Sequence, residues 1–180
     1  MGPPPLRLLL ISGSTRAAST NTAALRTAVA LTPAGVEATL YDRLVELPAF
    51  VPEPDAPPPP VVAALLHGLT AADAVVLSTP EYAGTLPGAF KNLLDWTVGG
   101  GELVRKPVAI VTVAPPGRGT GADATLRTVL GYVDADLVEA ACVRVYVARD
   151  AVDGEGLVTD PDVQDALRDA IERVVAHLHR

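Results

Sequence analysis

Aromatic residues are scarce in this chain, at 4% of 180 positions, and cysteine and histidine are scarcer still, with one cysteine and three histidines. The first shortage means that the core is built from alanine, valine and leucine, because apolar residues still reach 49%. The lone Cys142 excludes an intrachain disulfide and fits a reducing compartment. No grouping of cysteine and histidine has the spacing of a metal site. No run approaches the ~18 apolar residues of a membrane helix. Leu6–Ile11 is too short for a secretory segment and is interrupted by Arg7, and Met1-Gly2 leads into Pro3-Pro4-Pro5 rather than an acylation pattern. Basic residues are few, 14 against 21 acidic, and form no cluster, so the net charge of −7 argues against a nucleic-acid partner. These absences predict a soluble, cytoplasmic protein with neither a membrane nor a nucleic-acid partner. The length suits one domain spanning residues 1–180 with a sizeable core.

What the chain does have begins at Leu8–Asn21. An apolar run, Leu8-Leu9-Leu10-Ile11, stops abruptly in small polar residues, and a helical pattern then runs from Thr20 through Leu31. Strand, hydroxyl-rich turn and helix set a helix N-terminus beside the carboxyl end of a buried strand. That terminus carries unpaired N–H groups and roughly half a unit of positive charge, so an anion suits it. Ser14, Ser19, Thr20 and Asn21 add hydroxyl and amide donors, and Arg16 adds a planar cationic fork. Helix capping by Ser19 or Thr20 is the simpler reading. Arg16 tilts the balance toward a bound anion, because a cap does not need a cation at the positive end of a helix.

Further apolar runs at Val36–Tyr41, Ala74–Ser78, Pro107–Ala114 and Ala141–Val147 read as strands. Helical patterns cover Val61–Leu69, Leu86–Trp96, Ala122–Val133 and Pro161–His179. Pro48–Pro60 holds seven prolines in thirteen residues and reads as a solvent-exposed connector rather than a binding motif. Five apolar strands alternating with five helices predict a three-layer α/β fold, with a five-stranded parallel sheet in the order 2-1-3-4-5 and helices on both faces. In that winding, ligands bind outside the carboxyl ends of strands 1 and 3. The unusual loops follow strands 1, 3 and 4, and so share one rim.

The second loop, Thr79–Thr85, has one acid, one aromatic and no cation, and the third, Thr112–Gly121, is nearly all backbone. Such loops allow close approach to a flat ligand. A phosphate grip with two backbone-lined loops matches flavin mononucleotide (FMN).

The motifs carry a resemblance. Gly13-Ser14-Thr15-Arg16-x-x-Ser19-x-Asn21 resembles the phosphate loop of the NAD(P)H-dependent FMN reductase family. Pro80-Glu81-Tyr82-Ala83-Gly84-Thr85-x-Pro87-Gly88-x-x-Lys91-Asn92-x-x-Asp95-Trp96 resembles that family's second motif nearly throughout, with Ala83 where Asn is common. The resemblance implies a flavodoxin-like fold, non-covalent FMN, NAD(P)H as co-substrate, a small-molecule electron acceptor such as a flavin or quinone, and a homodimer or homotetramer. It assigns the phosphate to Ser14, Arg16, Ser19 and Asn21, with Thr20 beside them. It assigns the flavin ring to Pro80, Glu81, Tyr82, Ala83, Gly84 and Thr85, mostly through backbone, and more loosely to Thr112 and Gly117. The chemistry demands no general acid or base, and no catalytic side chain is named.

Lys91, Asn92, Asp95 and Trp96 sit at helical spacing and read as structural anchors. Tyr82 covers the ring or fills a subunit contact. Cys142 reads as a small hydrophobe in a buried strand, and Arg118 either meets a cofactor phosphate or is solvated, with the solvated reading preferred. His67, His177 and His179 lie far from the three loops in sequence. Two alternatives share the fold class: a flavodoxin-type electron carrier and a non-enzymatic flavin sensor. A signalling receiver domain lacks support, because strand 1 ends Ile11-Ser12-Gly13 and strand 3 ends Ser78-Thr79-Pro80, without the acidic cluster or phosphoacceptor aspartate.

Overall fold

Alternation along the first strand, β1 (Leu6–Ser12), decides how the layers form. Leu8 and Leu10 point to one face of the sheet and Leu9 and Ile11 to the other, and all four are buried. A strand that is apolar on both sides has to be covered on both sides. The computed structural model, which describes residues 4–53 and 56–180, shows how. One face takes α1 (Thr20–Ala30) and α5 (Pro161–Leu178), with Ala24, Leu25 and Ala28 sharing a core with Leu167, Ile171 and Val174. The other face takes α2 (Pro60–Ala71), α3 (Gly88–Trp96) and α4 (Thr120–Tyr132), through Leu65, Leu69, Phe90, Leu93, Leu126 and Leu130. Apart from Phe90 these are aliphatic residues, as the composition requires.

Strands β2 (Val36–Tyr41), β3 (Ala74–Ser78) and β4 (Pro107–Val113) join β1 in a parallel sheet. The order is β2-β1-β3-β4, followed by a fifth position beyond β4. The 2-1-3-4-5 winding and the three layers are therefore as expected. The fifth position is where the molecule departs from expectation. It holds two short pieces, one ahead of the expected strand Ala141–Val147 and one inside it. The first, β5 (Asp136–Leu137), pairs with Pro107 and Val108, and the second, β6 (Val143–Val145), pairs with Val111 to Val113. A single 3-10 turn over Glu139–Ala141 separates them. Glu-Ala-Ala has weak strand preference, and Arg127 holds the Glu139 carboxylate at 2.7 Å. The break leaves the Ile110 N–H without a strand carbonyl, and it donates to Cys142 Sγ at 3.4 Å instead. Burial pushes the Cys142 thiol above its ordinary pKa, so it remains protonated and inert.

The proline-rich segment is not simply a connector. The Pro48 carbonyl accepts from Asn92 Nδ2 at 2.9 Å and from Trp96 Nε1 at 3.0 Å. The Phe50 N–H donates to Asn92 Oδ1 at 2.8 Å, and the Phe50 ring meets Trp96 edge-on at 5.0 Å. At the far end Pro60 occupies the first turn of α2, where its missing N–H costs nothing. Pro54 and Asp55, within the same segment, lie outside the described residues. Among the described residues no helix is long and apolar enough to cross a membrane.

Candidate functional site

The end of β1 and the end of β3 are tied together, and the first turn of α1 is tied to both. The Gly13 N–H donates to the Ser78 carbonyl at 2.6 Å. A Cβ on Gly13 would lie 2.7 Å from Thr79 Oγ1 and 2.9 Å from the Phe90 ring, so only glycine permits this approach. Ser12 and Thr22 share a hydroxyl hydrogen bond at 2.7 Å, and Ser78 Oγ donates to Asn21 Oδ1 at 2.9 Å. That bond fixes the Asn21 amide and leaves its NH2 group as a donor. Ser19 caps α1, its hydroxyl accepting from the Thr22 N–H at 3.4 Å. The N–H groups of Thr20 and Asn21 have no acceptor within the helix.

This corner is one wall of a cavity of about 420 Å³ at the carboxyl ends of β1, β3 and β4. Its volume falls in the range typical of small-molecule sites. Ser14, Arg16, Ser19, Thr20 and Asn21 form the first wall, and Pro80, Glu81 and Tyr82 the second. Val113, Ala114, Pro115, Arg118 and Gly119 form the third. Tyr146, Val147 and Arg149, from the segment after β6, complete it.

Five residues expected at the cofactor do not line this cavity: Ala83, Gly84, Thr85, Thr112 and Gly117. Their positions have physical causes. Tyr82 and Thr85 exchange both backbone hydrogen bonds, at 3.0 and 3.1 Å, with Ala83 and Gly84 between them at φ of 51° and 78°. Two successive positive φ angles inside a two-residue loop describe a type I′ hairpin turn. The turn leans on α4 rather than inward. Thr85 Oγ1 meets Thr125 Oγ1 at 3.0 Å, and a Cβ on Gly121 would lie 1.9 Å from the Gly84 carbonyl oxygen. Thr112 belongs to the side of β4 that faces α4, and its hydroxyl donates to Asp123 Oδ1 at 3.1 Å. Gly117 sits at the exposed tip of the third loop, with φ of 75°.

Glu81 has a definite task. Its Oε2 accepts from the N–H groups of Gly121, at 2.7 Å, and Ala122, at 3.0 Å, in the first turn of α4. Those bonds, the Ala122 contact foremost, hold its carboxyl below the usual range, against the opposing effect of burial. The nearby Arg118 charge adds to the lowering. The one acid in the cavity wall among the described residues is thus committed to a helix N-terminus. Arg16, Arg118 and Arg149 have no carboxylate within 4.0 Å among the described residues.

The arrangement fits a phosphorylated planar ligand. Hydroxyl and amide donors and Arg16 converge at the N-terminus of α1, while Pro80, Tyr82, Val113, Pro115 and Tyr146 offer apolar and aromatic surface. Tyr82 and Tyr146 are half exposed, at 46% and 54%, so a ring placed against them would cover apolar surface now open to water. Sequence reasoning missed Tyr146, Val147 and Arg149. Their signal was position: they close the fifth strand region, whose carboxyl end shares the rim of strands 1, 3 and 4. Arg118 is exposed, as the solvated reading has it, and also lines the cavity.

The motif tail behaves as an anchor. Lys91 Nζ pairs with Asp95 at 2.6 Å, and Asn92 and Trp96 hold the Pro48–Phe50 segment as described above. Among the described residues no group of three acids, histidines or cysteines is placed to hold a metal ion.

Comparison with known proteins adds independent findings. A family model described as NADPH-dependent FMN reductase matches residues 6–149. The chain is 30% identical to an NAD(P)H-dependent FMN reductase of Pseudomonas aeruginosa over 179 residues, covering 97% of this chain and 96% of the relative. It is 30% identical to a quinone reductase of Escherichia coli over 168 residues, covering 90% and 89%. Among solved structures, a flavoenzyme NAD(P)H:(acceptor) oxidoreductase from Paracoccus denitrificans superposes with a TM-score of 0.76 at 24% identity, covering 97% of each chain. At that identity the likeness speaks for the fold alone.

Proposed function

Since this chain belongs to the NADPH-dependent FMN reductase family and is an FMN-dependent NAD(P)H oxidoreductase, we propose that the cavity at the strand ends is its FMN site. Arg16, Ser14, Ser19, Thr20 and Asn21 bind the phosphate, and Pro80, Tyr82, Val113, Pro115 and Tyr146 flank the ring. The observation that carries this reading is the convergence of three sequence-distant loops on one cavity whose only carboxylate among the described residues is already engaged by α4.

When bound, FMN supplies a ring that takes a hydride from the nicotinamide and passes electrons to an acceptor. The chain's own part is to bind, orient and shield. The tie between Asn21 and Ser78 fixes the phosphate end, and the grip of Glu81 on α4 fixes the second and third loops relative to each other. Glu81 is not a proton carrier, because two N–H donors hold it ionised. The acceptor is a small molecule of the flavin or quinone class, in line with the quinone reductase among its relatives.

The purified protein is expected to be yellow, or to become so with FMN. NADH or NADPH is expected to bleach it without oxygen. A colourless protein that takes up no FMN defeats the assignment of the cavity. A yellow protein that neither nucleotide bleaches acts as a carrier or sensor instead. The same reading takes residues 1–180 as one FMN-binding domain, working in the cytoplasm as a homodimer or homotetramer. Exposed Val45, Val51 and Val98 supply apolar surface for a subunit contact. Light scattering that returns a monomer mass removes that part.

A further inference from the structure

A second concavity adjoins the first. It measures about 390 Å³ and lies on the outer side of the Arg16–Thr20 segment. Arg16, Ala18, Ser19, Thr20 and Arg149 belong to both walls. The second bay adds Arg26 from α1, together with Val152, Asp153 and Gly156 from the segment before α5. Three guanidinium groups from three separate stretches therefore face one bay, in a chain whose net charge is −7. A local cationic site set against an opposing overall charge selects for anions by position.

The acids around the bay offset it only in part, since three guanidinium groups stand against the single lining carboxylate of Asp153 among the described residues. Asp153 spends Oδ1 on the N–H groups of Glu155 and Leu157, both at 2.9 Å, within its own turn. The partner of Arg26, Asp42, stands at 3.7 Å with both side chains over 40% exposed, which is too long for a hydrogen bond and too wet to be strong. Arg16 and Arg149 pair with no acid among the described residues. Arg26 does not line the FMN cavity, so the FMN phosphate does not account for it.

From this geometry we infer that the bay receives the adenosine half of the pyridine nucleotide. Arg26 and Arg149 recognise its 2′-phosphate and so favour NADPH over NADH. This rests on the FMN reading given above. A nicotinamide stacked on the flavin has to send the rest of its dinucleotide out of the cavity, and the bay shares a wall with that cavity. Guanidinium forks match phosphate oxygens in pairs, which gives the extra phosphate of NADPH a partner that NADH cannot use.

The test uses the FMN-loaded protein with 2′-phospho-ADP-ribose and ADP-ribose as probes. Neither carries a nicotinamide, so calorimetric titration reads binding without turnover. FMN loading, followed by absorbance, is measured first, and a protein that takes up no FMN overturns the flavin reading and the bay with it. In the loaded wild type the phosphorylated probe is expected to bind at least ~10-fold tighter, the effect of one charge-assisted contact. Arg26→Gln is expected to abolish most of that ratio while the Kd for FMN stays within about two-fold, and Arg26→Lys to restore part of it. Equal binding of the two probes to the loaded wild type overturns the inference and leaves the FMN site standing. So does a ratio that survives Arg26→Gln.

Discussion

The first and second loops stand on the same cavity but use their side chains in opposite ways. Between Gly13 and Asn21, fixed geometry is made on the protein side, by the bonds from Ser78 to Asn21 and from Thr22 to Ser19, and donors remain for a ligand. Between Pro80 and Thr85 the polar groups face the protein: Glu81 caps α4, Thr85 meets Thr125, and the Gly84 carbonyl abuts Gly121. The first loop keeps donors open toward the cavity, and the second is fastened to α4. A motif that resembles a row of cofactor contacts therefore also carries several fastenings to α4.

The sharpest way to break this contrast is to separate the second loop from α4. In Gly121→Ala the new Cβ would fall 1.9 Å from the Gly84 oxygen, a clash with backbone that no rotamer relieves. The expected loss is about 3 kcal/mol of stability in urea denaturation. An effect under ~0.5 kcal/mol would mean that the two segments are not pressed together. The first loop should fail in the other currency. Arg16 is exposed and has no acidic partner among the described residues. Arg16→Ala should weaken FMN binding by about 1.5–3 kcal/mol, roughly ten- to a hundredfold, and leave the denaturation midpoint of the FMN-free protein in place. An unchanged Kd for FMN removes Arg16 from the phosphate.

The same division explains what the sequence disclosed. The sheet order was legible because β1, β3 and β4 are apolar runs with clear ends, and parallel crossovers leave few windings. The first wall was legible because hydroxyls and an arginine beside a helix start have one obvious use. The two-residue β5 was not, since it lies ahead of the apolar run Ala141–Val147 and is parted from β6 by the turn at Glu139–Ala141, whose Glu139 pairs with Arg127 on α4. Thr112 and Val113 differ by one residue of strand parity. Thr112 faces α4, while Val113 beside it lines the cavity. The tasks of Glu81 and Thr85 were hidden because their partners lie about forty residues away.

Ala83 sharpens the contrast further. The family resemblance sets Asn at this position, and the structure supplies a conformational reason. The residue has φ of 51° in a type I′ turn, where Asn-Gly is strongly preferred. The alanine forgoes no contact with the cavity, which it does not line. It bears a left-handed backbone that costs about 1–2 kcal/mol for a residue with a Cβ. Ala83→Gly removes that cost but gives back about 0.5–1 kcal/mol in unfolded-chain entropy, for a net gain of roughly 0.5–1 kcal/mol. Ala83→Asn should stabilise as well, since asparagine tolerates this conformation and the glycine penalty is avoided. If both variants stabilise while FMN affinity is unchanged, position 83 serves the turn. If Asn instead tightens FMN binding without stabilising, it serves the ligand.

The smallest effect belongs to Glu81, and pH isolates it. Its folded carboxyl is held below the ordinary value, first by the Ala122 N–H and then by that of Gly121. The unfolded chain therefore takes up the proton more readily than the native protein as acid is added. The stabilisation is fully present above the unfolded carboxylate pKa of about 4.3 and is lost as pH falls through the lower folded value. Glu81→Gln keeps an oxygen for one N–H but loses the charge at the start of α4, so its Tm should lie below the wild type by a constant gap from neutral pH down to about pH 5. Below that the gap should close. A gap that stays open in acid assigns the loss to shape rather than charge. The carboxylate would then not be the clasp between the second loop and α4, and the division between an open loop and a fastened one would rest on Gly121 and Thr85 alone.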